Sequence, residues 1–569
     1  MFRSRLQRLA ACLAPALAAL VLLSIAPGLA AQKPKFRPDD PLAREPETQD
    51  ASKVEEWEIG LTADLLANLF GMPGGPATGE RAHNATTTDE VPDSSWFTNR
   101  IYARPVSVEE ITKGPNTIDG PAPGRWTIVR GKSAGVAPGF TVRDEKGETW
   151  FVSFDGRGNP IAPTAAAMVA TKLFWALGYN QVETYLATIR EQDLAIDDAA
   201  TIRAHGKRRR FVRADLDDVL RRAARSEDGS YRVMLGRALT GRPVGGFRYH
   251  DTRPDDPNDI VPHQHRRELR ALQVFGAWTN LVDMKAGNTL DTVVTENGRG
   301  IVRHYLQDVG STFGTGALAP RDGDEGHEYL YDPGPTWARF FTFGLAVSQW
   351  QTLDYEEHPE IGKFEGKEFE PEAWKPRVPV AALRHARTDD LFWAALRVMA
   401  FSDEHIRAAV KAGNYTDPAA EKLLADALIQ RRDKIGRVHF SRINPLVRFA
   451  LSEAGVLTFE NPSVRAHFAD PPKQGYEATW YAFDNVTSEA RQIGAPSTTQ
   501  QESVQGPREL PRGAEAFIKV SVRALEPPHA AWQTPVDVYF RRAGDAWKPV
   551  GVERGGDPQS SGSKQGGAK

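Results

Sequence analysis

The chain has 569 residues, with 40% apolar and 25% charged side chains and a formal net charge of −3. That length exceeds what one hydrophobic core ordinarily holds, so two or three domains are expected, with the composition of ordinary globular protein. The near-neutral charge excludes a global electrostatic pull toward phosphate backbones, and no nucleic-acid partner is expected.

Arg3, Arg5 and Arg8 precede a largely apolar stretch from Leu9 to Ile25 and the small-residue run Pro27-Gly28-Leu29-Ala30-Ala31. This is the pattern of a cleaved export signal over residues 1–31. The apolar stretch is short for a span and Pro27 interrupts its end, so no membrane span is expected after cleavage. Cys12, the only cysteine, lies inside the signal, which leaves the mature chain without disulfides or thiolate metal sites. Leu9-Ala10-Ala11-Cys12 comes before the hydrophobic stretch rather than after it, which argues against lipidation. The expectation is a bacterial exported protein, periplasmic or extracellular.

Residues 32–56 are rich in Pro, Lys, Asp and Glu with almost no apolar periodicity, and are predicted to be a flexible linker. An extension over 57–125 follows, with Leu61, Leu65, Leu66 and Leu69 at helical spacing and a Gly, Pro, Ala and Thr loop from Gly71 to Thr88. Trp126 to Val129, Phe140 to Val142 and Thr149 to Phe154 are short β-prone runs separated by Gly131, Gly135, Gly139 and Gly147, and predict three antiparallel strands. A helix after Pro163 is predicted to present Val169, Leu173, Ala176 and Leu177 on one face and to stop at Gly178. Between Tyr185 and Tyr249 the pattern gives a strand, a solvated basic run Lys207-Arg208-Arg209-Arg210, an amphipathic helix from Leu216 to Ala224, and a hairpin from Tyr231 to Tyr249.

A helix over about His265 to Val282 then delivers Asp283 to a loop. Asp283 and Asn288 are five positions apart with Lys285 between them, so a loop that folds back on itself can aim the carboxylate at a hydroxyl and the amide oxygen at a cation. Asp291 to Val294 and Ile301 to Leu306 are predicted to pair around Asn297-Gly298, and lead to Asp308-Val309-Gly310. An irregular stretch with Pro320, Pro333, Pro335 and Pro359 precedes a helical region from Val380 to Val438, where Asp417-Pro418 marks a helix start. Period-two runs at 476–483, 517–522 and 536–540 predict a small β-sandwich-like domain over 457–553, and 554–569 reads as a disordered tail.

The ordered pair of loops resembles the catalytic and metal loops of the atypical protein-kinase-like fold, of the HipA-like and secretory-pathway kinds, over about Trp126 to Val438. The resemblance implies an α+β, bilobal fold: an antiparallel-sheet lobe over 126–262 and a mostly helical lobe over 263–450. It implies Asp283 as catalytic base, Lys285 beside the moving phosphoryl group, and Asn288 and Asp308 as ligands of Mg2+ or Mn2+, with ATP as donor. Val309 stands where that family has phenylalanine. By register the strand lysine is replaced by Ser153, and Ala165-Ala166-Ala167-Met168-Val169 offers no carboxylate partner. Loss of such a contact costs about 1.5 to 3 kcal/mol in binding. Lys132, within the turn Gly131 to Gly135, is the candidate replacement for the lost charge; the alternative is a solvent-exposed turn lysine.

His263-Gln264-His265 has zinc-chelating alternation without a visible third ligand, and is predicted to be a polar cluster at a helix entry. Asp255 to Asp259 is either a calcium-binding run or a solvated turn, and Arg266 and Arg267 either contact phosphate or anchor the loop. Two alternatives stand beside metal-dependent phosphoryl transfer to an unknown acceptor. One is a pseudokinase scaffold that meets a cell-envelope partner through the C-terminal β domain. The other is nucleotidyl transfer on the same fold.

Overall fold

The computed structural model describes residues 33–555 apart from 133, 134 and 205. The expected export signal, Cys12 and the tail from residue 556 lie outside the described residues.

The chain is a mixed α+β protein whose largest sheet lies in its N-terminal half. It contains β1 (Trp126–Gly131), β2 (Gly139–Arg143), β3 (Thr149–Phe154), β4 (Thr184–Ile189), β5 (Leu194–Ala204), β6 (Lys207–Arg210) and β7 (Tyr231–Arg237), in the order β4-β7-β3-β2-β1-β5-β6. The three expected strands pair antiparallel, with Phe140 opposite Val152 and Val142 opposite Trp150. Alternation sets the two faces: Trp150, Val152 and Phe154 are buried, while Phe151 between them is 52% exposed. The buried face packs against Leu216, Val219 and Leu220 of the Arg213–Arg222 helix.

Three features of this region differ from expectation. β5 runs parallel to β1, a partnership that periodicity does not encode. The hairpin expected over 231–249 does not form: β7 pairs with β3 and β4, whereas β8 (Arg242–Pro243) pairs with β9 (Leu290–Glu296) of another sheet. The basic run Lys207 to Arg210 is exposed throughout, as expected, yet forms the edge strand β6, where exposed cations discourage edge-to-edge pairing.

The Ala162–Leu177 helix was expected to bury one face, but almost all of it is buried. Leu173, Phe174 and Leu177 each contribute on the order of 1.5–3 kcal/mol by full burial. Asp155 fixes its start, accepting from Ile161 N, Thr164 N and the Thr164 hydroxyl, and Gly178 ends it at φ 129°. Its neighbours in the main core come from the extension, including Trp96, Phe97, Ile101 and Ile111, and from the helices Thr388–Met399, Asp403–Lys411 and Pro418–Ser441. Asp417 caps the last of these through Ala419 N, with Pro418 in its first turn.

Of the stretch expected to be a flexible linker, residues 33–56 are described, and they are packed rather than flexible. Phe36 lies against Phe483, Phe517 and Tyr539, Ala51 and Val54 pack with Val244 and Val302, and Ala51 N donates to Gly300 O. A few apolar side chains and backbone bonds suffice where a polar segment has a groove to lie in. The C-terminal strands begin at Val447, earlier than expected. A three-stranded sheet and a six-stranded sheet there share one core that includes Trp480, Trp532 and Phe540. No helix among the described residues is long and apolar enough to cross a membrane.

Candidate functional site

β9 and β10 (Arg299–Tyr305) form the expected hairpin, in register from Glu296 opposite Arg299 to Leu290 opposite Tyr305. Its turn is Asn297-Gly298, with φ of 50° and 77°, the left-handed pair that a two-residue hairpin turn requires. Closing the hairpin brings the residues before β9 beside those after β10. At that open end Asp308 N donates to Asn288 O at 3.0 Å.

The loop from Asp283 to Asn288 folds back on itself as expected. Asn288 N donates to Lys285 O at 3.0 Å, and the Asn288 side-chain amide donates to Asp283 O at 2.7 Å. Val282 and Met284 are buried in the main core on either side of Asp283, whose own side chain is 17% exposed. Lys285 Nζ donates to the Asp283 carboxylate at 2.8 Å. Burial works against the charge of Asp283, yet Lys285, Asn288 and Arg321 outweigh it and hold the carboxyl below its ordinary value. Asp308 is exposed and accepts from Gly310 N at 3.0 Å, while Val309 beside it is buried. The small, buried Val309 thus anchors this loop. A Cβ on Gly310 would lie 3.4 Å from Ala167 Cβ, which sets the loop against the Ala162–Leu177 helix.

The turn after β1 supplies the cation. Lys132 is solvent-exposed in area, yet enough protein surrounds its ammonium for burial to lower its pKa. Asp308 opposes that shift and Arg222 reinforces it. Its Cδ lies 3.2 Å from where a Cβ on Gly139 would stand, and its Cε lies 3.4 Å from the same position on Gly135. At Gly139 a Cβ would also stand 2.3 Å from Val152 O, so that glycine serves the close pairing of β2 with β3, and Gly135 is set by its φ of 81°. Gly131 acts differently: its Cβ would stand 2.8 Å from Ile202 and Phe211, so its role is close packing of β1. Lys132, Gly135 and Gly139 line a cavity of about 160 Å³ together with Asp215, Asp218, Val219 and Arg222. Larger hollows of about 570 and 270 Å³ exist elsewhere, and no residue of 283–288 or 308–310 lines any of the three cavities. Ser153 is half-buried on β3, opposite Gly139. Ala165, Ala166 and Ala167 are buried, so this stretch of the helix brings no acid.

Sequence reasoning missed the buried polar network around the helices that precede Asp283. The helix expected over 265–282 is broken into Arg267–Arg270 and Leu272–Thr279, and ends at Asn280 with φ 55°. Arg267 is fully buried and donates to Asp89, Asp389 and Asp390, while Arg270 shares Asp390. Arg266 reaches Glu45 and Glu268. Arg266 and Arg267 are therefore anchors and make no phosphate site. In the Asp255 to Asp259 run, Asp259 is tied to His263 at 2.7 Å and to Arg253 N at 2.6 Å, which assigns that carboxylate to the buried network rather than to calcium.

His263 and His265 do not chelate together. His265 instead meets Glu80 and His83, with ligand atoms within 4.8 Å of one another. This triple does not fit a metal. Arg270 donates to His265 Nδ1 at 2.8 Å, and burial and Arg270 push the ring down to about 4. The neutral ring thus carries its proton on Nε2, which becomes a donor rather than a ligand.

No family model and no curated protein matches the sequence. Among solved structures the chain is similar to the crystal structure of the Golgi casein kinase with Mn/ADP bound, at TM-score 0.31 and 10% identity, over 58% of this chain and 74% of that one. It is similar also to a crystal structure of the Golgi casein kinase at TM-score 0.31 and 9% identity, over 71% of this chain and 94% of that one. Likeness of this degree leaves the chemistry to the site itself.

Proposed function

We propose that the chain is an exported, bilobal kinase-like protein that transfers the γ-phosphoryl group of ATP to a hydroxyl acceptor, with residues 126–262 and 263–450 as its two lobes. The observation that carries this reading is the backbone bond from Asp308 N to Asn288 O. It holds two oxygen-bearing side chains at the open end of one hairpin, next to the ionised Asp283. The donors fit a hard divalent cation: a carboxylate on Asp308 and an amide oxygen on Asn288, whose nitrogen is committed to Asp283 O. Asn288 and Asp308 would hold Mg2+ or Mn2+, and such an ion supplies charge neutralisation on the β- and γ-phosphates.

Asp283 has the charge state to accept the acceptor's hydroxyl proton as its oxygen bonds to the γ-phosphorus and the bond to the ADP oxygen breaks. Lys285, already on Asp283, places positive charge beside the transferring group, and Lys132 faces the remaining phosphates from the glycine-rich turn. Ser153 and the alanines of the Ala162–Leu177 helix favour a second reading, a scaffold that binds nucleotide without turnover. In either reading the C-terminal sheets are the surface for a cell-envelope partner.

The test is a thermal-shift titration of the mature chain with ATP and Mg2+ or Mn2+, alongside Asp308→Ala. Stabilisation that requires the metal and vanishes in the variant supports the site. No shift under any condition refutes it. Metal-dependent binding without phosphate transfer to any hydroxyl, including water, selects the scaffold.

A further inference from the structure

The Arg213–Arg222 helix is held in one rotation by Leu216, Val219 and Leu220, which pack into the core of the large sheet. That rotation leaves Asp215, Asp218, Val219 and Arg222 on the cavity under the Gly135 turn, at spacings of three, four and seven that form one stripe on a helix. The two acids are already engaged. Asp215 accepts from both terminal nitrogens of Arg209 at 2.7 Å and from Val212 N, while Asp218 pairs with Arg221 and with Arg222 Nε at 3.1 Å. Only Nε of Arg222 is used in this way. Its two terminal nitrogens have no protein partner among the described residues, and no described carboxylate lies within ion-pair distance of Lys132.

Two cations therefore share this cavity wall with Asp215 and Asp218; burial lowers the Lys132 pKa, Asp308 opposes that and Arg222 reinforces it. Cations whose neighbouring acids are already committed to other arginines keep donors free for an anionic occupant. A planar guanidinium with two free N–H groups suits a phosphate bidentately, and Lys132 supplies a point charge beside it.

We infer that Arg222 is a second phosphate-binding cation of the nucleotide site, positioned by Asp218, so that Lys132 and Arg222 together supply the positive charge of the missing strand lysine. The ligand class is a polyphosphate, with the nucleoside contributing little at this wall. The inference rests on the nucleotide reading above, but a separate probe distinguishes their failures.

The experiment measures binding of Mn·ADP, adenosine and inorganic pyrophosphate to the mature chain by calorimetry, for the wild type, Arg222→Ala, Arg222→Lys and Asp218→Asn. Loss of a charge-assisted contact predicts Mn·ADP binding weaker on the order of tenfold to a hundredfold in Arg222→Ala, with adenosine unchanged. Arg222→Lys recovers part of the loss and Asp218→Asn falls between. Equal weakening for adenosine and ADP indicates a merely structural residue and overturns the inference, as does unchanged ADP binding in Arg222→Ala. Should the wild type fail to bind Mn·ADP, pyrophosphate decides the matter. Pyrophosphate binding that depends on Arg222 sustains an anion site while the kinase reading falls, and its absence from the wild type removes both. Arg222 is half-exposed, and unfolding of each variant in buffer confirms that the fold is kept.

Discussion

Replacing Arg267 by Met tests how much the buried charge network contributes to the stability of the fold. Arg267 has no exposed side-chain area and faces Asp89 at 2.7 Å, Asp389 at 2.9 Å and Asp390 at 2.9 Å. Removing one member of a buried ion pair costs about 3–5 kcal/mol, because the remaining charge is left uncompensated. Here each carboxylate keeps another cation: Arg81 and Arg554 for Asp89, Arg387 for Asp389, and Arg270 for Asp390. The loss should therefore fall at the lower end, about 3 kcal/mol, still a large share of the 5–15 kcal/mol typical of a domain. A pH signature accompanies it. Burial already raises Asp389 above its ordinary value, and Arg267 is the largest influence opposing that rise. Without Arg267 the carboxyl takes up a proton at higher pH than in the wild type, so the stability deficit should be larger at pH 8 than at pH 5. Urea unfolding followed by tryptophan fluorescence at both pH values measures this. A loss below about 1 kcal/mol, or a deficit that does not change with pH, would refute the reasoning.

Lys132→Ala should weaken Mn·ADP binding by about tenfold or more, with little change in unfolding, because Lys132 has no ion pair among the described residues; calorimetry beside urea unfolding separates the two effects. His439 lies in the Pro418–Ser441 helix, where burial pushes its ring down to about 4 from 6.5. The unfolded chain then binds this proton more readily than the folded one between those values. The stability it contributes, about 3 kcal/mol, is complete above pH 6.5 and is lost as pH falls toward 4. His439→Phe should flatten that slope, which unfolding midpoints at pH 4.5 and 7.5 (about three units apart) would show.

The parts of the fold that sequence reasoning reached are those written in local pattern. The β-prone run Thr149 to Phe154, bounded by glycine turns, gave β3 and its antiparallel pairing. Asn297-Gly298 gave the hairpin, because this pair readily takes the left-handed conformations of a type I′ turn, and Asp417-Pro418 gave a helix start through cap chemistry. Partnerships between distant segments were out of reach. Nothing in Tyr231 to Tyr249 indicates that its two halves join different sheets, or that β5 lies parallel to β1. The site divides in the same way. Asp283, Asn288 and Asp308 could be found from spacing around a hairpin. Arg267 and Arg270 could not, since a charged run at a helix entry is ordinarily solvated and only the folded chain supplies their carboxylates. Arg222 was hidden for the same reason, as one arginine among Arg221, Arg222 and Arg225 on an amphipathic helix.

The hairpin has a further consequence, for the order in which the site is assembled. Asp283, Asn288 and Asp308 fall within one short stretch of chain, and the ends of a loop that short meet at a small cost in closure entropy. Lys132 and Arg222 must arrive from far upstream, through contacts of long sequence separation that form late. Perturbing the large sheet should therefore leave a chain that retains the loops bearing Asp283, Asn288 and Asp308 and has lost the placement of Lys132 and Arg222 beside them.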